Sequence, residues 1–473
     1  MNTPTLTVRE VQLYERSVRL RMPFRFGVVT LTEAPQCFVR VRIERGDGTS
    51  HWGAAAELLA PKWFDKNLAL TNEDNFDQLR LSLRLAADAY TADARTRTAF
   101  GNFAAHYADQ IAVGARHGLN ALVSNFGPAQ VDRAILDALC RSVGYSFYDA
   151  IGKNLAGMEP GLLPGPLADL AGTDMATFLA GLKPQATIAA RHTVGLVDAI
   201  AGHPGHVNDG LPESLEEVIA TYGHTYFKLK VGGDLAADLA RLSDIAAVLD
   251  TIPEPYYASL DGNEQYDDID ALLELWRRMQ DAPRLRRLVA SILFIEQPIT
   301  RAHAFDNDIS ALSRVKPVIV DESDDELVAF PRARALGYSG ISSKCCKGFY
   351  KSILNAARCA AWNAKDGTNR YFMSGEDLTT QAGLAVQQDL ALVNLLGLGH
   401  VERNGHHYVN GMSGLPEAEQ AAFVAAHPDI YEQSHGAVRV KIAAGRLAIG
   451  SLATPGFATG AYPAWETLTP MEL

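Results

Sequence analysis

The run Thr225-Tyr-Phe-Lys-Leu-Lys-Val231 decides the interpretation of this chain, because it predicts a strand that carries two lysines. Successive side chains of a strand point to opposite faces, so Lys228 and Lys230 point the same way. At an assumed separation of about 6 Å and an effective dielectric constant near 20, their repulsion is roughly 3 kcal/mol, which would lower the pKa of one amine by about two units. Such an amine suits a base at neutral pH. The alternative is an exposed edge strand whose lysines extend into solvent.

Eight strand-like segments follow one another between residues 187 and 403, and the lysine-bearing strand is the second of them. Helical sequence separates them; after Asp234, for example, apolar residues recur at helical spacing. Right-handed crossovers would close this series into a parallel barrel of the (β/α)8 type, with its first or last unit modified. The predicted strands are Thr187–Val194, Thr225–Lys230, Tyr256–Asp261, Ile292–Glu296, Val318–Asp321, Gly340–Lys344, Arg370–Ser374 and His400–Glu402.

The sequence on either side of the barrel has a different pattern. Val8–Leu20 and Cys37–Glu44 alternate like antiparallel strands, Gly46-Asp-Gly48 is typical of a hairpin turn, and helical sequence continues to about residue 155. We therefore predict an α+β domain at 1–160, a connection rich in Pro, Gly and Ala at 161–186, the barrel at 187–412, and a C-terminal segment at 413–473 that returns to the first domain.

Composition limits the possible classes of function. The chain has 473 residues, 47% of them hydrophobic and 21% charged, which is typical of a globular protein with more than one domain. Its formal net charge of -12 argues against binding to nucleic acid or to an anionic membrane, and no apolar run is long enough for a membrane span. The N-terminus lacks a signal-peptide pattern, so we expect a cytoplasmic protein. The five cysteines, including the adjacent Cys345 and Cys346, show no paired Cys-x-x-Cys spacing and are interpreted as reduced thiols.

Acidic residues end three consecutive predicted strands. Asp261, Glu296 and Asp321 each follow a short apolar run, at the end of a barrel strand where barrel enzymes place catalytic groups. Taken singly, each acid is simply explained as a helix N-cap or a solvated loop carboxylate. Together, three carboxylates at one barrel mouth would repel one another unless a cation held them, and hard oxygen ligands favour Mg²⁺ or Mn²⁺.

A third lysine, Lys344, ends the sixth predicted strand, across the barrel from the second. Alone, it could equally be a surface lysine or a salt-bridge partner. When Lys344 is taken together with the residues above, the sequence resembles the enolase superfamily. Within that superfamily it resembles the muconate-lactonizing-enzyme-like subgroup of the mandelate racemase/muconate lactonizing enzyme family. The resemblance covers nearly the whole chain, except an apparent insertion around residues 80–125. Its motifs are Lys228-Leu-Lys230, Asp261-Gly-Asn263, Phe294-Ile-Glu-Gln-Pro298, Asp321-Glu-Ser323, and Lys344 followed by Lys347-Gly348.

This resemblance implies both a fold and an activity. The fold is a modified (β/α)8 TIM barrel, of the (β/α)7β kind, with an α+β N-terminal capping domain that the C-terminal segment completes. The activity is Mg²⁺-dependent abstraction of the proton α to a carboxylate through a metal-stabilised enolate. The enzyme would be an isomerase or lyase that racemises, cycloisomerises or dehydrates a small carboxylate substrate. We also expect it to be a homo-oligomer.

The resemblance also assigns roles to residues. Asp261, Glu296 and Asp321 would hold the metal, and Lys230 and Lys344 would face opposite sides of the substrate carbon. Lys228 would lower the pKa of Lys230 and neutralise substrate charge.

Other polar residues are candidates for binding the substrate or for supporting these groups: Arg25, Asn263, Glu322, Glu376, Asp377 and Glu402. Helix capping explains Glu376, Asp377 and Glu402 equally well, and an exposed turn is the simpler explanation of Arg25. His406 and His407, just beyond the eighth strand, are interpreted as solvated loop residues.

The sequence departs from related patterns in ways that leave the substrate open. The seventh strand carries no histidine, whereas a mandelate-racemase-like site would have one there. After the lysine of strand six, the single glycine Gly348 stands where two glycines are usual. No Asp-x-Asp follows strand eight. Two other functions are considered. A catalytically silent barrel used for binding would not need the intact set of six residues, and a glycosidase using Asp261 and Glu296 as a carboxylate pair would leave the three lysines unexplained.

Overall fold

The structure is a computed structural model that describes residues 3–205 and 207–471. Residues 1, 2, 206, 472 and 473, which include the outer ends of the predicted domain ranges, lie outside the described residues. The strands are β1 (Leu6–Phe26), β2 (Val29–Arg45), β3 (Ser50–Leu58), β4 (Thr187–Val194), β5 (Tyr226–Lys230), β6 (Tyr257–Asp261), β7 (Ile292–Glu296), β8 (Val318–Val320), β9 (Gly340–Ser343), β10 (Phe372–Gly375), β11 (His400–Arg403), β12 (Tyr431–Ser434), β13 (Ala437–Val440), β14 (Arg446–Ala448) and β15 (Thr469–Pro470).

One set of helices lies in the first domain, before the barrel strands, and another set alternates with those strands. They are α1 (Asn72–Ala92), α2 (Ala99–Arg116), α3 (Ala121–Ser124), α4 (Phe126–Val143), α5 (Phe147–Gly152), α6 (Met175–Gly181), α7 (Leu215–Tyr222), α8 (Leu235–Leu249), α9 (Asp270–Asp281), α10 (Arg286–Ser291), α11 (Ser310–Ser313), α12 (Ala329–Ala335), α13 (Phe349–Asp366), α14 (Leu384–Leu395), α15 (Gly405–Tyr408) and α16 (Glu417–Ala426). Short 3₁₀ segments lie at Pro160–Leu162, Ala168–Leu170, Pro283–Leu285, Cys345–Lys347, Gly450–Leu452 and Trp465–Thr467.

The eight predicted barrel strands are all present, with ends within two residues of the prediction. Strands β4 to β11 pair in parallel in chain order, and β11 returns to pair with β4, so the barrel is closed. Seven of the strands are followed by a crossover that contains a helix. After β11 the chain forms only the four-residue helix α15, so the last unit is the modified one, and the predicted (β/α)7β fold is confirmed.

The first domain is built on an antiparallel sheet, as predicted. β1 and β2 form a long hairpin in which Phe26 pairs with Val29, and β3 pairs with β2 after the predicted turn at Gly46 to Gly48. Helix α4 packs closely against β3. A Cβ atom on Gly53 would lie 2.2 Å from the backbone nitrogen of Ala138, so glycine is what permits this approach.

The C-terminal segment connects the two parts of the molecule. β14 pairs with β4 of the barrel, and β15 pairs with β1 of the capping sheet. The buried Asp137 on α4 accepts backbone N–H groups from Ala54 at 2.9 Å and from Phe457 at 2.7 Å, and the Tyr462 hydroxyl at 2.6 Å. The C-terminal segment therefore completes the capping domain. The residue boundaries assigned to the domains stay a prediction.

The region of the predicted insertion, around residues 80–125, contains the end of α1 and helices α2 and α3. Tyr90 on α1 donates to Asp132 on α4 at 3.0 Å, and the Tyr107 hydroxyl on α2 accepts the backbone N–H of Leu327 at 2.8 Å. Because Leu327 follows β8, this region contacts the barrel as well as the capping domain.

We expect Gly53→Ala to lower the free energy of unfolding by about 1–3 kcal/mol, because the added methyl group must displace the backbone of α4. Gly172→Ala is the matched control, since a Cβ atom there meets nothing within 4 Å. Urea denaturation of both variants measures the difference. Equal stability of the two variants would contradict the close approach of α4 to β3.

Candidate active site

The side chain of Lys228 is the electrostatic centre of the barrel mouth. Its Nζ atom lies 2.9 Å from Asp261, 2.8 Å from Glu296, 2.9 Å from Glu376 and 3.0 Å from Glu402. Burial alone would lower the pKa of Lys228, but these four carboxylates raise it well above its usual value. Repulsion by the second lysine is therefore not the dominant effect on the pKa of Lys228.

Lys230 lies on the same face of β5, as the strand alternation predicts. Its Nζ atom donates to Asp261 Oδ2 at 2.5 Å and to Asn263 Oδ1 at 3.3 Å. Burial would raise the pKa of Asp261, but the ammonium groups of Lys228 and Lys230 outweigh it and hold that pKa below its usual value. Asp261 is therefore an ionised carboxylate between two amines.

Lys344 stands on the opposite side of the mouth, because β5 and β9 are four strands apart in a barrel of eight. Its Nζ atom lies 2.7 Å from Asp321 Oδ2, and Lys347 approaches Oδ1 of the same carboxylate at 3.4 Å. The Ser342 hydroxyl also donates to Asp321. These cations hold the pKa of Asp321 far below its usual range despite its burial.

The fit of a divalent cation to the three acids rests on the chemistry of the donors. Asp261, Glu296 and Asp321 are buried carboxylates on consecutive strands, the hard oxygen ligands that Mg²⁺ prefers. Glu296 Oε2 is buried and has no hydrogen-bond partner among the described residues. Burial, followed by the nearby Asp261 and Glu376, raises the pKa of Glu296 well above its usual value. A further positive charge here would relieve this crowding, so the donor set fits.

The oxygen atoms of the three acids do not yet meet at one point. Three side chains could share an ion if their ligand atoms all lie within 4.8 Å of one another. Among the described residues, a group of histidines meets this condition and the three carboxylates do not. Asp261 forms ion pairs with Lys228 and Lys230, and Asp321 forms one with Lys344. Binding of an ion would therefore require these acids to exchange lysine contacts for metal contacts.

The pocket at this site is closed on one side by the capping domain. Lys230, Asp321 and Lys344 line it from the barrel, and six residues line it from the capping domain: Phe24, Phe26, Leu31, Leu58, Ala60 and Trp63. Its empty space, including the open mouth, is about 390 Å³. The pocket has a charged floor and an apolar lid.

Trp63 contacts one of the site lysines directly. The Nζ atom of Lys344 lies 4.2 Å from the centroid of the Trp63 ring, a cation–π distance. Arg301, in the loop after β7, donates to the carbonyl oxygens of Trp63 at 2.7 Å and Phe64 at 2.9 Å, and it pairs with Glu264 at 2.8 Å. Arg301 thus fixes the capping loop above the barrel.

Arg25 does not line the pocket, which argues against its candidate role in substrate binding. The predicted reading loop is the tip of the β1–β2 hairpin, where Arg25 pairs with Thr30 and its side chain is exposed. Side chains alternate along β1, so the neighbouring Phe24 and Phe26 face the pocket and Arg25 faces away. The simpler explanation of an exposed arginine holds.

Three of the remaining candidates, Asn263, Asp377 and Glu402, line the pocket. Asn263 donates through Nδ2 to Glu322 Oε1 at 2.7 Å. Burial, together with Asp321 and Glu264, raises the pKa of Glu322 to about 7. Asp377 accepts the backbone N–H groups of Thr380 at 2.9 Å and Asn404 at 2.7 Å, which orders the loops after β10 and β11.

Sequence reasoning missed Arg191, on the first barrel strand. It is fully buried, forms an ion pair with Glu376, and donates to the Ser374 hydroxyl at 3.0 Å. Next to it along the barrel wall, Thr193 donates to Glu402 at 2.5 Å. An arginine within the otherwise apolar run Ile188-Ala-Ala-Arg191 was the available signal, because a buried charge requires a partner.

The histidines after β11 correct another expectation. His406 and His407 are buried in α15 and not solvated. The five cysteines are free and buried, and burial is the largest cause raising the pKa of Cys345 and Cys346 well above the usual thiol value. The expected reduced, unreactive thiols agree with this placement.

No protein-family model matches the chain, and no curated protein matches its sequence. Solved structures match it over nearly its full length. An enolase from Streptomyces coelicolor, crystallised without magnesium, is 15% identical with a TM-score of 0.61, covering 98% of this chain and 95% of its own. A dipeptide epimerase from Enterococcus faecalis is 14% identical with a TM-score of 0.58, at 96% and 99% coverage. A muconate lactonizing enzyme from Pseudomonas fluorescens is 16% identical with a TM-score of 0.56, at 97% coverage of both chains.

These solved structures share the capped-barrel fold of this chain, as predicted. Identities this low show the fold alone. Within the part of the chain that the structure describes, no helix has the length and apolar character needed to cross a bilayer.

We expect Arg191→Met to lower the free energy of unfolding by about 3–5 kcal/mol, because it leaves Glu376 with one cationic partner fewer in a buried site. Arg277→Met, which removes an exposed ion pair on α9, is the control and should change stability little. Thermal and urea denaturation measure the stability of both variants. A neutral effect of Arg191→Met would contradict its role in holding the acids of the mouth.

Proposed function

We propose that this protein is a Mg²⁺-dependent enzyme that removes the proton α to the carboxylate of a small acid, with Lys230 and Lys344 as the acid–base groups. The observation that carries the proposal is the placement of these two amines on opposite barrel strands, both lining one pocket with Asp321. A substrate carbon between them would present one face to each amine. Removal of a proton on one side and return of a proton on the other inverts the configuration at this carbon. Assisted loss of a leaving group instead gives an alkene.

Asp261, Glu296 and Asp321 would hold the metal ion. When bound, Mg²⁺ supplies positive charge that offsets the negative charge developing on the substrate carboxylate. The lysines now paired with Asp261 and Asp321 would then be released from those acids toward the pocket. An amine freed from its carboxylate loses a partner that favours its protonated form, which is the change that a base requires.

Lys228 would have a different role from the other two lysines. Its four carboxylate contacts fix the amine beneath the mouth, where its charge faces the substrate carboxylate and limits repulsion by the acids. Glu376 and Glu402 would hold Lys228 in place, and Arg191 and Thr193 would hold those two acids.

The capping domain supports a small substrate with an apolar part. Phe24, Phe26, Leu31 and Trp63 present apolar surface opposite the charged barrel end. Among proteins of this fold, the Enterococcus faecalis epimerase was crystallised with Mg and the dipeptide L-Leu-L-Tyr, and an enolase from Bradyrhizobium with magnesium and mandelic acid. The choice among racemase, cycloisomerase and dehydratase, the homo-oligomer and the cytoplasmic location stay predictions.

Deuterium exchange in D2O tests the two-sided chemistry directly. Candidate α-hydroxy, N-acylamino and sugar acids are incubated with the protein and Mg²⁺, and mass spectrometry follows exchange at the α carbon. Lys230→Ala and Lys344→Ala should each reduce turnover by roughly 10²–10⁴-fold, the usual contribution of a general acid or base. Each variant should keep exchange of the α proton that faces the remaining lysine.

Lys365→Ala is the control for the exchange experiment, because Lys365 is exposed on α13. Its activity should equal that of the unchanged protein. Full turnover by Lys344→Ala would show that the two-sided mechanism is wrong. Activity insensitive to EDTA would favour the glycosidase alternative.

Glu296→Gln should weaken Mg²⁺ binding roughly tenfold or more, because the amide keeps the shape of the side chain but removes a negative charge from the ligand set. Isothermal titration calorimetry with Mg²⁺ measures the change without reference to activity. Glu254→Gln, at an exposed residue, is the matched control. An unchanged affinity would remove Glu296 from the ligand set.

A further inference from the structure

A group of histidines is buried behind the first barrel strand, on the side away from the lysines. On β4, Arg191 and Thr193 contact Glu376 and Glu402 inside the barrel. His192 lies between them in sequence and therefore points outward. There it meets His224, which precedes β5, and His406 in the short helix α15. This is the region next to the barrel unit that lacks a full helix.

The three imidazoles are close enough to share one ion. Ligand nitrogen atoms of His192, His224 and His406 all lie within 4.8 Å of one another. The ring centroids are 5.5 Å apart for His192 and His224, 5.8 Å for His192 and His406, and 5.6 Å for His224 and His406. Tetrahedral ligands at about 2.0–2.1 Å from Zn²⁺ are roughly 3.4 Å apart, so small side-chain rotations would close the group.

These histidines are buried without hydrogen-bond partners for most of their nitrogen atoms. Their exposed fractions are 2% for His192, 1% for His224 and 8% for His406. Within the described residues, His192 Nδ1, His224 Nε2 and both ring nitrogens of His406 have no hydrogen-bond partner. Leaving a buried polar atom unsatisfied costs about 1–3 kcal/mol. Several such atoms facing one another indicate a missing shared partner.

The hydrogen bonding and electrostatics favour neutral imidazoles. His224 Nδ1 lies 2.9 Å from the carbonyl oxygen of Ala190, so Nδ1 carries the proton and Nε2 presents its lone pair. Burial lowers the pKa of His224 to about 4 and lowers the pKa values of His192 and His406 well below the usual value. For His192 and His406, the neighbouring histidines lower the pKa further.

We propose that His192, His224 and His406 form a site for one divalent transition-metal ion, with Zn²⁺ as the representative ion. Three neutral imidazoles suit Zn²⁺, Cu²⁺ or Ni²⁺ and do not suit Mg²⁺, which prefers oxygen. A pocket lined by Gln381, Arg403, Gly405 and His406 borders the group at His406.

The ion would act as a structural cross-link. It would join β4, the residues before β5 and the residues after β11, and thereby stabilise the wall of the barrel where the eighth helix is short. Arg439 donates to the carbonyl oxygen of His406 at 3.3 Å, and its charge opposes a bound cation, so all three ligands are needed to hold the ion. The proposal is independent of the reaction at the barrel mouth.

Zinc titration of the full-length protein tests the site. Protein stripped with EDTA is dialysed into millimolar Mg²⁺, which occupies oxygen sites, and Zn²⁺ is then added in a calorimeter. We expect one equivalent to bind, with affinity reduced roughly tenfold or more in His224→Gln and unchanged in His303→Gln, an exposed histidine. Zn²⁺ should raise the unfolding temperature of the protein and of His303→Gln, but not that of His224→Gln.

Zinc binding of equal affinity by His224→Gln would overturn the proposal. If that variant does not fold, X-ray absorption at the zinc edge decides the question on the unchanged protein. A first shell with three imidazole nitrogens supports the site, and a shell of oxygen atoms alone overturns it. Neither result depends on the exchange chemistry proposed for Lys230 and Lys344.

Discussion

The ion pairs around Lys228 are the constraint on which the rest of the barrel mouth depends. Its ammonium group is within 3.0 Å of four carboxylates that come from four different strands. Without this cation, the acids of Asp261, Glu296, Glu376 and Glu402 would repel one another in a buried site. Burial makes each pair sensitive to geometry, so the strand register that brings these residues together is fixed tightly. Lys230 and Lys344 are then placed on opposite sides of an ordered acidic ring.

The capping domain makes this ring into a pocket. The β1–β2 hairpin brings Phe24 and Phe26 over the barrel mouth, while the loop after β3 places Trp63 against Lys344. Arg301 and the C-terminal segment hold that arrangement from the barrel side and the capping side, respectively. Because the apolar lid and the charged floor belong to different parts of the chain, substrate choice and acid–base chemistry would be able to vary independently under the proposed function.

The same strand serves two chemically different environments. On β4, the side chains directed inward support the acids of the mouth, whereas His192 is directed outward into the histidine group. If both proposed sites bind metal, the oxygen donors inside the barrel and the nitrogen donors outside it would select different ions by ligand preference. The short last unit of the barrel leaves the space in which the histidines meet, so the modified topology and the proposed second site have one structural origin.

Local pattern was sufficient to predict the eight barrel strands, the hairpin turn at Gly46 to Gly48 and helix α8, because strand and helix periodicity are properties of short segments. It also placed Lys228 and Lys230 on one face. The partners of these lysines depend on strands distant in sequence, so the four carboxylates around Lys228 were not foreseen and Arg191 was missed. Exposure of Arg25 and burial of His406 and His407 were likewise decided by tertiary packing. Sequence fixes which face of an element a side chain occupies, whereas the surroundings of that face arise only when the barrel closes.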